Sequence, residues 1–307
     1  MAARTKLLLA TGSVVAVVAV VIALTTGLFD RAFDGSRSLD VGAPTSTWGV
    51  DEPTASSTSA VRVAVVGDPG TGGAGEQAVA QVLADQHHES PYDALVLPGD
   101  LIYPDGEVDQ IDEALLRPFE PLLGDGVELL PALGNHDYMS GESRQIMDRL
   151  DRPSDWYAQE VGSALFVVLD SNRVDDPDQT TWLRETLQQS TANWVLAVMH
   201  HPPYSAGMHG SSLDVRSAWS GLFSQYGVDL VLAGHDHDYQ RSHVIDGVLY
   251  VVSGGGAKTR PTGHESFTAF SASTLHYLDL QIGPDQILGQ AIDSHGHAFD
   301  DFVITGG

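Results

Sequence analysis

The sequence predicts an α/β (α+β) fold in which two mixed β-sheets pack face to face with helices on their outer surfaces. Two observations lead to this prediction. Between residues 61 and 233, short apolar runs typical of buried strands alternate with segments of helical periodicity. From residue 248 onward, strand-like runs follow one another without helices between them, which favours antiparallel pairing.

The elements follow from these patterns in chain order. Strands are predicted in the alternating part at 61–66, 94–97, 128–133, 163–169, 194–199 and 228–233. Helices are predicted between them at 76–88, 108–117, 179–189 and 213–225. The antiparallel tail is predicted to contain strands at 248–252, 275–282, 286–292 and 302–304.

The composition excludes several classes of function. The chain of 307 residues carries 41 Asp and Glu against 15 Lys and Arg, which gives a formal net charge of -26. Because proteins that bind nucleic acid do so through basic patches, no nucleic-acid partner is expected. The chain has no cysteine, so disulfides, thiolate nucleophiles and cysteine-ligated zinc are excluded.

The N-terminal region predicts a membrane anchor. Residues 1–6 contain Arg4 and Lys6, and residues 7–29 carry no charge. As a helix, this apolar segment would span roughly 34 Å, enough to cross a bilayer, and the positive-inside rule places residues 1–6 in the cytosol. The alternative is a cleaved signal peptide and secretion. Residues 30–60, rich in Ser, Thr, Gly and Pro, predict a flexible tether to a folded domain at 61–307.

Metal-ligand side chains follow five of the predicted strands. They are Asp68, Asp100, Tyr103, Asn135, His200, His235 and His237. Ligands gather beyond the carboxyl ends of strands in open α/β sheets. Carboxylate, phenol, amide and imidazole groups suit Zn, Fe or Mn, and seven ligands are too many for one ion but suit two.

Some of these residues have another interpretation. Tyr103, which precedes Pro104, could instead pack on a loop, and His201 competes with His200 for one role. The run Gly254-Gly255-Gly256 could cradle phosphate, although a tight turn is the favoured interpretation because the P-loop Lys and Ser/Thr are missing.

Five stretches resemble the motifs of metallophosphoesterases (calcineurin-like phosphoesterases), and more narrowly those of purple acid phosphatases. They are Gly67-Asp68-x-Gly70, Gly99-Asp100-x-x-Tyr103, Gly134-Asn135-His136-Asp137, Val198-Met199-His200 and Gly234-His235-x-His237. The resemblance covers about residues 61–260 and implies an αββα sandwich. Most of the superfamily has a His two residues after the first Asp, where this chain has Gly70. A Tyr at the spacing of Tyr103 is typical of the purple acid phosphatases.

The resemblance also implies a ligand set for two ions. It assigns Asp68, Asp100, Tyr103 and His237 to the first ion. It assigns Asp100, Asn135, His200 and His235 to the second ion, so that Asp100 bridges the two. Replacement of an imidazole by a phenolate favours Fe(III) in the first position and Zn, Fe or Mn as the divalent partner.

The implied activity is hydrolysis of small phosphate monoesters by hydroxide attack between the ions. His136, oriented by Asp137, is the predicted general acid, and His209 is the second candidate for proton donation or phosphate contact. One alternative is a phosphodiesterase or nucleotidase on the same scaffold. The other is a membrane-tethered protein that binds phosphorylated polymers through its metals.

Overall fold

The computed structural model describes residues 40–42 and 60–306, which form fourteen strands. The strands are β1 (Asp40–Gly42), β2 (Val61–Val65), β3 (Ala94–Pro98), β4 (Glu128–Ala132), β5 (Tyr157–Val161), β6 (Ala164–Val168), β7 (Trp194–Val198), β8 (Leu230–Ala233), β9 (Tyr239–Ser242), β10 (Leu249–Ser253), β11 (Thr268–Ala272), β12 (His276–Ile282), β13 (Gln286–Asp293) and β14 (Ala298–Thr305).

Helices and helical turns connect the strands of the alternating part. The α-helices are α1 (Ala74–Glu89), α2 (Glu120–Leu123), α3 (Ser143–Arg149), α4 (Pro177–Gln189), α5 (Leu213–Val215) and α6 (Gly221–Tyr226). Three 3₁₀ turns lie at Val108–Gln110, His136–Tyr138 and Ser171–Arg173, and two π-helical turns at Asp112–Leu116 and Arg216–Ser220.

The strands form two mixed sheets of seven strands each. The first has the order β1-β14-β13-β12-β2-β3-β4, in which β2, β3 and β4 are parallel and the other neighbours antiparallel. The second has the order β11-β9-β10-β8-β7-β6-β5, in which β6, β7, β8 and β10 are parallel. The prediction of two mixed sheets is confirmed.

Three apolar clusters separate four layers. Phe166 lies in the cluster between the two sheets, Leu83 of α1 packs on the outer face of the first sheet, and Leu187 of α4 packs on that of the second. Each sheet therefore buries both faces, which explains why strands such as β3 and β7 are apolar throughout.

The structure contains four strands that were not predicted from the sequence: β1, β5, β9 and β11. β5 is half-exposed and largely polar, and it pairs at the sheet edge. β9 begins only two residues after His237, so its sequence resembles a continuation of the ligand loop. β11 is mostly half-exposed and lacks the apolar run of a buried strand. The predicted helices at 108–117 and 213–225 are composites of 3₁₀, π and α turns.

The tether prediction does not describe residues 40–42. This segment forms β1, which pairs antiparallel with β14. The pairing is made by the backbone, so the side-chain composition of the segment does not predict it. Within 40–42 and 60–306, no helix is both long and apolar enough to cross a membrane. The predicted membrane segment 7–29, residues 1–6 and most of the predicted tether lie outside the described residues.

Candidate metal centre

Five loops bring all seven predicted ligands together. Asp68 follows β2, Asp100 and Tyr103 follow β3, and Asn135 follows β4 in the first sheet. His200 follows β7, and His235 and His237 follow β8 in the second. Every one of these side chains is buried or half-buried. The centre thus lies where the carboxyl ends of parallel strands from both sheets meet.

The first cluster surrounds the hydroxyl of Tyr103. Its oxygen lies 2.7 Å from Oδ2 of Asp100, 3.3 Å from Oδ1 of Asp68 and 3.0 Å from Nε2 of His237. Nε2 of His237 is in turn 3.5 Å from Oδ1 of Asp68. The four groups that the resemblance assigns to the first ion therefore converge.

The second cluster surrounds the amide oxygen of Asn135. Oδ1 of Asn135 lies 3.0 Å from Nε2 of His200 and 3.0 Å from Nδ1 of His235, and these two nitrogens are 3.2 Å apart. Oδ1 of Asp100 is 3.5 Å from Nε2 of His200. Asp100 is therefore common to both clusters and presents one oxygen to each.

The chemistry of these atoms fits cations. The Pro98 carbonyl can only accept, so Nδ1 of His200 donates to it at 2.9 Å. In the neutral ring, Nε2 then carries a lone pair and faces the oxygen of Asn135, which is also an acceptor. Among the described residues, the buried Nδ1 of His237 has no hydrogen-bond partner. Buried acceptors that face one another are stabilised by a shared cation, and the residues present fit two.

Burial and neighbouring charge perturb the titrating groups. Burial raises the pKa of Asp68 well above its ordinary value, and the charge of Asp100 adds to the effect. Burial also opposes ionisation of Asp100, but His200 and the Tyr103 hydroxyl lower its pKa below the ordinary value. Burial and the charges of Asp68 and Asp100 raise the pKa of Tyr103.

Three candidate ligands adopt a left-handed backbone conformation. Asp68, Asp100 and His235 have φ angles of 57°, 53° and 71°. Such angles are uncommon for residues other than glycine, and they concentrate at functional sites where the surrounding structure enforces them. The sharp turns direct the three side chains into the centre immediately after their strands end.

Two glycines allow the ligand loops to approach one another. A Cβ atom on Gly134 would lie 2.2 Å from Oδ1 of Asp100, and one on Gly234 would lie 2.4 Å from Oδ2 of Asp68. No side chain fits at these distances, so the glycine before Asn135 and the glycine before His235 are required by packing against the carboxylates.

His136 lies beside the first cluster. Its ring packs against Tyr103 with centroids 4.4 Å apart, its Nδ1 contacts the Pro104 carbonyl, and its backbone N–H donates to Oδ1 of Asp100. The prediction that Asp137 orients this ring is wrong. Asp137 is fully buried and accepts backbone N–H groups at Leu101, Ile102 and Gly134, which ties together the loops that follow β3 and β4.

His209 is exposed and packs against the ring of His235, with centroids 4.4 Å apart. Its backbone N–H donates to Oδ1 of Asp236 at 2.7 Å, and the hydroxyl of Ser205 donates to the other oxygen of Asp236. Asp236 thus points away from the two histidines that flank it and anchors the loop that carries His209.

Three further side chains border the centre, and the sequence singled out only His201 among them, as a competitor of His200. The ring of His201 lies 4.6 Å from that of His235, and ligand atoms of His200, His201 and His235 all lie within 4.8 Å of one another. Burial and the charge of His200 lower the pKa of His201 to about 3. Lys258 and Arg260 also border the centre, and no spacing signal marked them because their loop follows the last motif.

The glycine run bends the chain beside the centre and uses two of its backbone donors within the protein. The backbone N–H of Gly254 donates to Asp238 and that of Gly256 to Gly67. A Cβ on Gly254 would lie 2.8 Å from Oδ2 of Asp68, so the run also packs against the centre.

The geometry agrees with a comparison by sequence. The profile of the calcineurin-like phosphoesterases matches residues 61–239, the part of the chain that supplies all seven candidate ligands. The chain belongs to the calcineurin-like phosphoesterase family. This confirms the resemblance that the five motifs carry.

Curated relatives support the purple acid phosphatase-like branch. Tartrate-resistant acid phosphatase type 5 of Mus musculus is 28% identical over 265 residues, which cover 72% of this chain and 81% of that protein. Phosphoenolpyruvate phosphatase of Allium cepa is 37% identical over 109 residues, 33% of this chain. The chain spans only 22% of the onion protein and 28% of an uncharacterized protein of Mycobacterium tuberculosis. Together these relatives place the chain with the purple acid phosphatase-like members of the family.

Solved structures share the fold. The purple acid phosphatase PPD1 from yellow lupin seeds has a TM-score of 0.72 at 20% identity, covering 80% of this chain and 54% of that one. GAP50, the anchor in the inner membrane complex of Plasmodium, has a TM-score of 0.73 at 17% identity, covering 81% of this chain and 90% of that one. A phosphatase and an anchor thus have the same fold, so the fold alone does not decide function.

Proposed function

We propose that the chain is a metal-dependent phosphatase that hydrolyses phosphate monoesters at a centre of two ions. The observation that carries the proposal is the position of Asp100, which presents Oδ2 to the Tyr103 cluster and Oδ1 to the His200 cluster. The first ion would be held by Asp68, Asp100, Tyr103 and His237. The second would be held by Asp100, Asn135, His200 and His235.

The donor set favours Fe(III) in the first position and Zn, Fe or Mn in the second. A phenolate is a harder donor than an imidazole and suits trivalent iron, whereas imidazole and amide donors suit divalent ions. When bound, the two ions would supply a water of lowered pKa and neutralise charge on the phosphoryl oxygens.

We assign proton donation to the leaving oxygen to His136. Contact of Nδ1 with the Pro104 carbonyl, which can only accept, places a proton on Nδ1. In the imidazolium form Nε2 therefore holds the proton that can be transferred. Packing against Tyr103 fixes the ring next to the first cluster. The protein thus supplies both the orientation and the proton that an alkoxide leaving group requires.

We assign phosphate contact, rather than proton donation, to His209. Its Nε2 lies 3.3 Å from Nη1 of Arg260. Because the guanidinium can only donate, Nε2 of His209 is the acceptor in this pair and carries no proton to give. The exposed ring remains at the mouth of the centre beside His235.

Comparison of an aryl phosphate monoester with the matching diester tests this function. We expect faster turnover of the monoester, as the acid phosphatase relatives suggest, and loss of turnover in Asp100→Asn. Faster turnover of the diester would favour the phosphodiesterase or nucleotidase alternative. Binding of phosphate with no turnover of either ester would favour the binding-protein alternative and overturn the proposal.

We propose that residues 7–29 attach this domain to a membrane with the centre outside the cytoplasm. Support comes from the length of the uncharged segment and from the basic residues before it. Expression of the full chain, fractionation of membranes and N-terminal sequencing of the product test this. A soluble product that starts after residue 29 would show secretion after cleavage instead.

A further inference from the structure

Two basic side chains border the metal centre, although the protein as a whole is strongly acidic. Lys258 and Lys6 are the only lysines among 307 residues, and the formal net charge is -26. Lys258 is therefore the only lysine in the part of the chain that the structure describes. Arg260 follows two residues later in the loop after β10. We call Lys258 and Arg260 the cationic rim.

The cationic rim contacts the first ligand cluster directly and borders the second through His209. Nζ of Lys258 lies 4.2 Å from the ring centroid of Tyr103, which belongs to the first cluster. Nη1 of Arg260 lies 3.3 Å from Nε2 of His209, whose ring packs on His235 of the second cluster. The two charges are thus placed at separate points along the mouth of the centre.

The backbone holds the cationic rim in place. The N–H of Arg260 donates to the carbonyl of His237 at 2.8 Å, and its own carbonyl accepts from Ser273 at 2.7 Å. Ala257, directly before Lys258, is buried. The rim is therefore attached to the ligand loop itself, although the Lys258 side chain is exposed.

Neither charge is neutralised by a carboxylate. Within residues 40–42 and 60–306, Lys258 and Arg260 form no ion pair. By contrast, seven arginines pair with Asp or Glu: Arg62, Arg117, Arg144, Arg149, Arg152, Arg173 and Arg241. A chain with 41 acids that leaves these two cations unpaired beside its centre keeps positive charge available there.

In the proposed function, the two metal ions neutralise the negative charge of the phosphoryl group. The positive charge of the cationic rim is therefore available for a different part of the substrate. A substrate with a second anionic group would otherwise be repelled by the acidic surface. Cations at the mouth of the centre offset this repulsion locally. They can also form charge-assisted hydrogen bonds with an anionic group on the substrate, and these are stronger than hydrogen bonds between neutral groups.

We propose that Lys258 and Arg260 bind a second anionic group of the substrate, so that the preferred substrates are phosphate monoesters with an anionic leaving group, such as a carboxylate or a further phosphate. This proposal rests on the proposed function for the position of the phosphoryl group. It goes further by naming the class of leaving group and the two residues that select it.

The test uses phosphonates, which resist hydrolysis at phosphorus, so that binding is measured separately from turnover. Calorimetry on the metal-loaded full chain compares phosphonoacetate, 3-phosphonopropionate and 4-phosphonobutyrate with alkylphosphonates of equal length. We expect at least one carboxylated probe to bind about tenfold more tightly than its neutral partner. Lys258→Gln or Arg260→Gln should remove most of that preference and leave affinity for the alkylphosphonates nearly unchanged.

Arg184→Gln is the matched control, because Arg184 is an exposed cation on α4, outside the centre. It should keep the full preference. A wild-type protein without preference, or equal weakening of both probes in the rim variants, would overturn the proposal, as would failure to bind any phosphonate. Retained preference with no hydrolysis of aryl phosphates would instead refute the proposed function and leave the cationic rim supported.

Discussion

The amide oxygen of Asn135 lies 3.0 Å from Nε2 of His200, whose Nδ1 already donates to the Pro98 carbonyl. In the neutral ring these are two acceptors in contact inside a protein core. In the other cluster, Nε2 of His237 lies 3.5 Å from a carboxylate oxygen of Asp68. The contact between Asn135 and His200, close to the carboxylate of Asp100, is one that a bound cation would stabilise.

Asp100→Asn should abolish metal binding at both positions, because one carboxylate faces both clusters. We expect metal content close to zero by elemental mass spectrometry and a loss of turnover of about 10³-fold or more. Asp109→Asn, an exposed acid in the loop before α2, should retain full metal content. A D100N protein that keeps one ion would contradict the bridging role.

Tyr103→Phe should remove the colour of the iron-loaded protein. The substitution keeps the ring that packs on His136 but deletes the oxygen that contacts Asp100 and His237. We expect the visible phenolate-to-iron absorption band to disappear while the circular dichroism spectrum is unchanged. An unaltered band in Y103F, or a colourless but fully active wild-type protein, would refute iron ligation by Tyr103.

His136→Ala should lower kcat by about 10²-fold and leave phosphate inhibition nearly unchanged, because proton donation matters in the transition state rather than in binding. The loss should be larger for alkyl phosphates than for nitrophenyl phosphate, whose leaving group needs no proton. His88→Gln, an exposed histidine of α1, is the control. Equal losses for both substrates would show that His136 acts by another route.

Asp137→Ala should destabilise the fold. Three backbone N–H groups, at Leu101, Ile102 and Gly134, lose their acceptor in a fully buried place. We expect the free energy of unfolding in urea to fall by about 2–4 kcal/mol. The exposed Asp285→Asn should change it little. Wild-type stability in D137A would mean that the two loops are held by other contacts.

Glu76 predicts a specific dependence of stability on pH. Burial raises its pKa from 4.5 to about 8, while its Oε2 accepts N–H groups of Thr71 and Gly72 in the loop after Asp68. A raised folded-state pKa means that its contribution is fully present below pH 4.5 and is lost as the pH rises through about 8.

Glu76→Gln should therefore flatten the fall in unfolding free energy between these pH values, as measured by urea denaturation at several pH values. Glu89→Gln, at the exposed end of the same helix, should leave the wild-type profile unchanged. If the profile of E76Q parallels that of the wild type, Glu76 is not the group that titrates.

The strands that could be predicted from the sequence are those buried on both faces, because burial gives them an uninterrupted apolar run. Strands such as β3 and β7 are covered on both faces, so their apolar runs are unbroken and the ligands after them stand out. β5 was missed because it is a half-exposed edge strand, and β9 because it is short, polar and begins two residues after His237. β1 was missed because it is ordered by backbone pairing with β14.

Some residues of the candidate site could be predicted from the sequence and others could not. Asp68, Asp100 and His235 were found because each comes directly after a glycine that follows an apolar strand. Asp137 was misassigned because its neighbour in sequence, His136, is not its partner in space. The cationic rim has no local signature, since contact of Lys258 with Tyr103 joins residues separated by more than 150 positions and depends on tertiary packing.

The most direct test of the two-ion centre is an anomalous-diffraction map from crystals of the metal-loaded protein. We predict two peaks flanking the Asp100 carboxylate, one coordinated by Tyr103 and His237 and the other by His200 and His235. A single peak, or a peak held by His200, His201 and His235 without Asp100, would contradict the account.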